Sequence, residues 1–340
     1  MKKRNFTLLT NKDLENIFID NNIPKFRAKQ VTQPIYEKFI SSFDHINNIP
    51  KDLKEILNDN FTLNLPKIVE KSPSPDNTTK YLLELEDKNY IECVYLPYKD
   101  RKSICVSTQV GCPIGCKFCA SGVNGFVRNL SVYEIIGQLL TVQNDVKEKI
   151  THIVYMGIGE PLLNLQNVIK SIRLINTNFN ISQRRITVST SGITAKIYEL
   201  AKADLDITLA LSLHSPFQEE REELIPSASH NILPKLLTAC DEYFNLTKRR
   251  ITFEYILIGD INSSENHARE LSKIAREHKA HINLIPCNPT DHFPHSAPSE
   301  KQIKRFTDIL TNNGVNFSLR EKKGNTTNSA CGQLRNRKLN

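Results

Sequence analysis

Three cysteines fall within eight residues, Cys112-Pro-Ile-Gly-Cys116-Lys-Phe-Cys119, and no immediate neighbour supplies a fourth metal ligand. A closed structural zinc site takes four protein ligands, usually as two paired half-sites. A 4Fe–4S cluster held by three thiolates instead leaves one iron open to a ligand from outside the chain. The C-x3-C-x2-C spacing therefore points to a cluster that performs chemistry. Zinc is the rival, with Cys105 as fourth ligand and a non-catalytic, nucleic-acid-binding role for the protein.

Such a loop needs a frame. From Ser103 onward, strand-like runs occur at 103–108, 151–156, 185–190, 206–213, 250–258, 281–285 and 315–319, separated by amphipathic helical stretches. Ser131-Val-Tyr-Glu134 and Ser299-Glu-Lys-Gln302 have the capping-box pattern that opens a helix. Repeated βα units imply an α/β fold with a parallel sheet, closed or nearly closed into a barrel. Reactive groups in such folds gather at the carboxyl ends of the strands. The cysteine loop follows the first barrel strand, and polar motifs end four others: Gly157-Ile-Gly159-Glu160, Ser189-Thr-Ser-Gly192, Ser212-Leu213-His214 and Asn283 to Asn288. Taken singly, a strand-end Ser or Asn is a turn former, and His214 a satisfied core histidine.

Upstream, residues 1–75 read as helical, with a capping start at Thr10-Asn-Lys-Asp13 and apolar Ile35, Phe39, Phe43 and Ile46 at near-helical spacing. A Ser/Pro-rich stretch over 72–79 reads as a loop, and the runs 81–86 and 90–96 as a hairpin. The expected organisation is an N-terminal helical accessory domain (1–75), a β-hairpin extension (76–98) and a catalytic domain (99–340).

The bulk composition is compatible with this division. The 340 residues are 39% hydrophobic and 24% charged, an ordinary globular balance. No run approaches the about 18 apolar residues of a membrane span, and the basic start lacks the apolar stretch of a signal peptide. A cytoplasmic, membrane-free protein is expected. Eight cysteines, three of them crowded together, fit a reducing compartment better than a disulfide framework. The net charge of +8 permits an anionic partner such as nucleic acid. Arg184/Arg185, Lys248/Arg249/Arg250 and Arg335/Arg337/Lys338 are candidate phosphate contacts, or simply solvated charge.

The cysteine loop resembles that of radical S-adenosylmethionine (SAM) enzymes. Further residues narrow the resemblance: Cys105-Val-Ser-Thr-Gln-Val-Gly-Cys112, Met156 to Leu165, Arg184 to Gly192, Leu211 to Pro216 and Ala330-Cys331-Gly-Gln-Leu334. Together they resemble the RlmN/Cfr family of ribosomal RNA adenine methyltransferases over nearly the whole chain. The resemblance implies a partial (βα)6-type radical SAM barrel, a 4Fe–4S cluster on Cys112, Cys116 and Cys119, and two SAM molecules per turnover. SAM contacts would come from Gly159, Glu160, Ser189, Ser212, Leu213, His214 and Asn288.

The family reaction methylates C2 or C8 of an adenine. Cys331 corresponds to the cysteine that is itself methylated and then, as a radical, joined to the base. Cys105 corresponds to the thiol that frees the product by forming a disulfide with Cys331. Glu92, otherwise an exposed strand carboxylate, corresponds to the proton acceptor. The implied partners are 23S rRNA, tRNA with an anticodon-adjacent adenine, and an electron donor such as a flavodoxin or ferredoxin. The proline in Gly159-Glu-Pro-Leu-Leu-Asn-Leu165 favours the C2 branch, with C8 as the alternative. Gly324 to Ala330 departs from the acidic segment common in the family. Cys93, Cys240 and Cys287 are expected to be buried apolar residues.

Overall fold

Each strand-like run after Ser103 forms a strand. In the computed structural model, which describes residues 3–289 and 292–320, they belong to one ten-stranded sheet. Its strands are β1 (Lys67–Pro73), β2 (Thr79–Glu84), β3 (Tyr90–Pro97), β4 (Lys102–Cys105), β5 (His152–Tyr155), β6 (Ile186–Thr190), β7 (Thr208–Ser212), β8 (Thr252–Leu257), β9 (His281–Pro286) and β10 (Phe317–Leu319). From β4 to β10 neighbours are parallel and in chain order. On the other side of β4, the strands β3, β2 and β1 form an antiparallel meander. β10 and β1 are the two edges, so the barrel stays open.

The core lies between sheet and helices. Ile153 and Tyr155 on β5, Ile186 and Val188 on β6, and Leu209 and Leu211 on β7 are each 0% exposed and share one cluster. They face helices such as Val132–Val146 and Leu165–Phe179, where Tyr155 bonds Ser171 at 2.8 Å. Burying each such side chain contributes about 2 kcal/mol. The alternate residues, with period two, face inward, and several of them, such as Thr187, Ser189, Thr208 and Ser212, are only partly covered. The expected capping boxes at Thr10, Ser131 and Ser299 are all present.

Two upstream expectations change. Ile35, Phe39, Phe43 and Ile46 do not share a helix, because the helix Arg27–Glu37 stops and Phe39 turns left-handed at φ 57°. Phe43 then sits in a short 3-10 turn capped by Ser42. Lys67–Pro73, within the stretch read as helix and loop, is instead an edge strand whose exposed, charged residues hide its alternation. The hairpin is thus a three-stranded meander continuous with the barrel. The N-terminal helices join the same core: Tyr36 meets Phe179 edge-on at 4.8 Å, and Asn178 donates to the Leu9 carbonyl at 3.0 Å. Among the described residues no helix is long and apolar enough to cross a membrane.

Candidate active site

The cysteine loop is the tip of a small hairpin between Gln109–Gly111 and Phe126–Asn129. Its base is clamped by charge. Arg128 gives Glu134 two parallel bonds, at 2.8 and 3.0 Å, and reaches Asp87 of the β2–β3 turn at 2.7 Å. Bidentate guanidinium–carboxylate pairs are the more specific kind. Arg128 holds Asp87 low, at about 2.

Ser107, between β4 and this hairpin, ties three elements together. Its hydroxyl donates to the Glu92 carbonyl at 2.5 Å and accepts from the Ile158 amide at 2.9 Å. Its amide and carbonyl both bond the Gln138 side chain, each at 2.9 Å. The backbone of residue 157 passes so close that a Cβ there would lie 2.7 Å from the Ser107 nitrogen, which is why glycine stands there. Gly159 adopts φ 106°, a conformation that disfavours any side chain.

At the carboxyl ends of the strands, a cavity of ≈ 180 Å³ is lined by Cys112, Cys116 and Cys119 on one side and by Cys105 on another. Gly159, Glu160, Ser189, Ser212, His214 and Asn288 complete the predicted set that reaches it. Leu213 does not line it. Its side chain is 0% exposed in the helix-facing core, while its amide donates to the Glu254 carbonyl at 3.0 Å. Cys331 and the tail basic residues lie outside the described residues, as does the departing segment before Cys331.

Glu160 is buried, and burial raises its carboxyl above the usual range. Its two oxygens accept from the amides of Ser191 (2.7 Å) and Leu162 (2.9 Å), which fixes the side chain across two strand ends. His214 takes φ 60°, its Nδ1 accepts from the Ile256 amide at 3.1 Å, and its ring meets Phe118 edge-on at 4.7 Å. Burial lowers its pKa to about 3, so the ring is neutral, with the proton on Nε2.

The thiols fit an iron–sulfur cluster by their chemistry. Burial pushes Cys112 up to about 12, and Cys116 is raised by burial and then by Cys119 and Cys112. Neighbouring thiols facing one cavity need positive charge before they can ionise together, and bound metal supplies it. Among the described residues no group of three or more His, Cys, Asp or Glu is arranged for a single ion. A cubane makes a different demand, since each thiolate takes its own iron.

Behind the cavity wall Arg221 is 0% exposed and donates to the carbonyls of Ser191 and, at 3.4 Å, Ser212. Its Nε and Nη1 have no partner among the described residues, and burial lowers it to about 10. Sequence reasoning missed Arg221, Ser107 and Gln138, because nothing in their spacing marks them. It also missed Lys80, whose ammonium lies 3.2 Å from Glu92. Glu92 is not exposed; it is 3% accessible on β3. It shares a strand face with Val94 and Leu96, which line the cavity, and Val94 pairs with Cys105. Because β3 runs antiparallel to β4, Glu92 lies beyond Cys105 toward the mouth. Cys93 and Cys240 are buried in the main core and Cys287 in a second apolar cluster, as expected.

An open α/β barrel with three thiols on the loop after its first strand defines the radical SAM class. The Radical SAM superfamily matches residues 106–271, and the ribosomal RNA large subunit methyltransferase N-terminal domain matches residues 4–63. A radical SAM methyltransferase from Sphaerobacter thermophilus superposes with a TM-score of 0.91 at 36% identity, covering 98% of this chain and 99% of that one. Two curated relatives, from Clostridium novyi (strain NT) and Trichodesmium erythraeum (strain IMS101), are each described as "Probable dual-specificity RNA methyltransferase RlmN". Each is 47% identical, over 97% and 92% of this chain and 96% and 90% of its own length. The chain belongs to the RlmN family of radical SAM RNA methyltransferases. Its cofactors are accordingly a 4Fe–4S cluster and SAM.

Proposed function

We propose that this chain methylates C2 of an adenine in 23S rRNA and of an anticodon-adjacent adenine in tRNA. In this reading Cys112, Cys116 and Cys119 hold the cluster, and Cys331 carries the methyl group. Gly159, Glu160, Ser189, Ser212, His214, Asn288 and the Leu213 backbone hold SAM. When bound, cluster and SAM supply the one-electron chemistry that an unactivated aromatic C–H requires.

The observation that carries the reading is that Cys105 shares one small cavity with the three loop thiols, with Glu92 further along the same face. Cys105 is the resolving thiol: its thiolate attacks the Cys331 sulfur, the bond from that sulfur to the transferred carbon breaks with its electron pair leaving toward the adenine, and the disulfide forms as product is released. Glu92 accepts the proton from the adenine carbon, with its charge supported by Lys80. His214 offers an Nε2–H donor, and Glu160 is held by two amides so that it keeps one orientation. A flavodoxin or ferredoxin provides electrons, and the protein works in the cytoplasm. Pro161, which lines the cavity beside Glu160, belongs to the motif that favours C2 over C8.

Mass spectrometry of RNA nucleosides after reaction tests this, with separate rRNA and tRNA substrates. 2-Methyladenosine is expected from both; 8-methyladenosine alone would sink the C2 assignment, and an unmodified tRNA would remove the second substrate. Metal analysis after anaerobic reconstitution should find iron and sulfide. Stoichiometric zinc without them would favour the RNA-binding rival.

A further inference from the structure

The barrel holds a second chamber, at the amino ends of the same strands. The inward-facing residues there are Ser103, His152, Thr187, Thr208, Thr252 and His281, one from each of β4 to β9. A packed barrel fills such positions with Val, Ile and Leu. Here they surround a cavity of ≈ 660 Å³. Thr187 is in register with Thr208, and Thr252 with His281, so the polar groups lie side by side. The hydroxyls of Thr187, Thr208 and Thr252 have no hydrogen-bond partner among the described residues.

The chamber is strongly positive. Arg101, Arg184, Arg185 and Arg320 line it, against one lining carboxylate among the described residues, Glu254, which accepts from Asn283 at 2.7 Å. Among the described residues Arg101 and Arg185 have no carboxylate within ion-pair distance, while Arg184 pairs with Asp206 at 2.5 Å. Burial and then the charges of Arg101 and Arg185 lower the pKa of His152. Leu96, Val154, Met156, Glu254 and Arg320 line both chambers, so this one adjoins the cysteine cavity.

We propose that this lower chamber is a second binding site, for a small phosphate-bearing anion. Guanidinium groups at the entrance suit phosphate oxygens in a bidentate fashion. Inside, the threonine hydroxyls and histidine N–H groups provide further donors, and none of these residues lines the cysteine cavity. Depth selects a small ligand over an RNA strand, whose linked phosphates would reach only the rim. The site stands independently of the methylated carbon and of the roles given to Cys105 and Glu92.

Calorimetric titration of the full chain at constant ionic strength tests it, with inorganic phosphate, pyrophosphate and ADP as probes. Saturable one-site binding of at least one probe is expected, and the three arms distinguish a free anion from a nucleotide phosphate. Arg101→Gln with Arg185→Gln should weaken binding by about ten- to a hundredfold, as losing charge-assisted bonds does. Thr208→Val should weaken it less, with circular dichroism unchanged in both variants. Cys112→Ala, at the other end of the barrel, should bind normally. No saturable heat with any probe, or full affinity in the double arginine variant, overturns the proposal. So does a double variant that loses affinity only for an RNA oligonucleotide, since the rim would then be an RNA surface.

Discussion

The ammonium of Lys80 stands 3.2 Å from the carboxylate of Glu92, with the two side chains only 12% and 4% exposed. They lie diagonally on adjacent strands, since Lys80 pairs with Val94 and Glu92 with Leu82. The ammonium orients a carboxylate that is almost wholly withdrawn from water.

Lys80→Met should therefore slow methylation, measured in a single-turnover assay at fixed pH. Breaking a buried pair by removing one partner also costs about 3–5 kcal/mol of stability, measurable by urea unfolding at pH 7. An unchanged rate in folded Lys80→Met would show that the pair does not serve the reaction.

Arg221 is a different case, because its guanidinium is only partly satisfied. Replacing a buried, incompletely paired charge by an apolar side chain is often neutral for stability. Arg221→Met should then melt close to the unaltered protein, yet bind SAM about tenfold more weakly. The carbonyls of Ser191 and Ser212, which it joins, sit at two strand ends of the cavity wall. Equilibrium dialysis of SAM and a thermal melt together check this.

His214 makes a pH prediction. Its folded value of about 3 lies below the unfolded value of about 6.5. The unfolded chain binds the extra proton between these limits, so the histidine's contribution is complete above about 6.5 and is lost as pH falls toward 3. His214→Gln should flatten the stability profile across that window. In the unaltered protein, SAM affinity should show no titration near 6.5 that His214→Gln removes.

Asp87 acts at lower pH. Its folded value near 2, set first by Arg128, is below the unfolded value of about 3.9. Its contribution is present above about 3.9 and is lost as pH falls through 2. Both side chains are partly exposed, so screening keeps the effect small. Urea midpoints between pH 4 and 2 should vary less for Asp87→Asn than for the unaltered protein.

The barrel strands were legible because Ile186 and Val188, or Leu209 and Leu211, alternate with inward residues at period two. The three capping boxes were legible because Ser/Thr and Glu, Asp or Gln recur three apart. Lys67–Pro73 was not, since an exposed edge strand carries no apolar period. Cysteines at fixed spacing announced a cluster, and strand-end motifs announced which groups surround it. The supports stayed hidden for a physical reason. Ser107 bonds Gln138 across 31 residues, and Lys80 meets Glu92 only once a hairpin register is set. Arg184 and Arg185, by composition either phosphate contacts or solvated charge, lie at the amino end of a strand and line the lower chamber.

The inward faces of the barrel strands lie apart from the main core, which sits between sheet and helices. Inheritance can therefore act on the two surfaces separately. A substitution toward the helices is judged by whether the protein survives, and one toward the lumen by what the protein recognises. Descendants of one stable shell can in this way diverge in ligand while keeping the same outline.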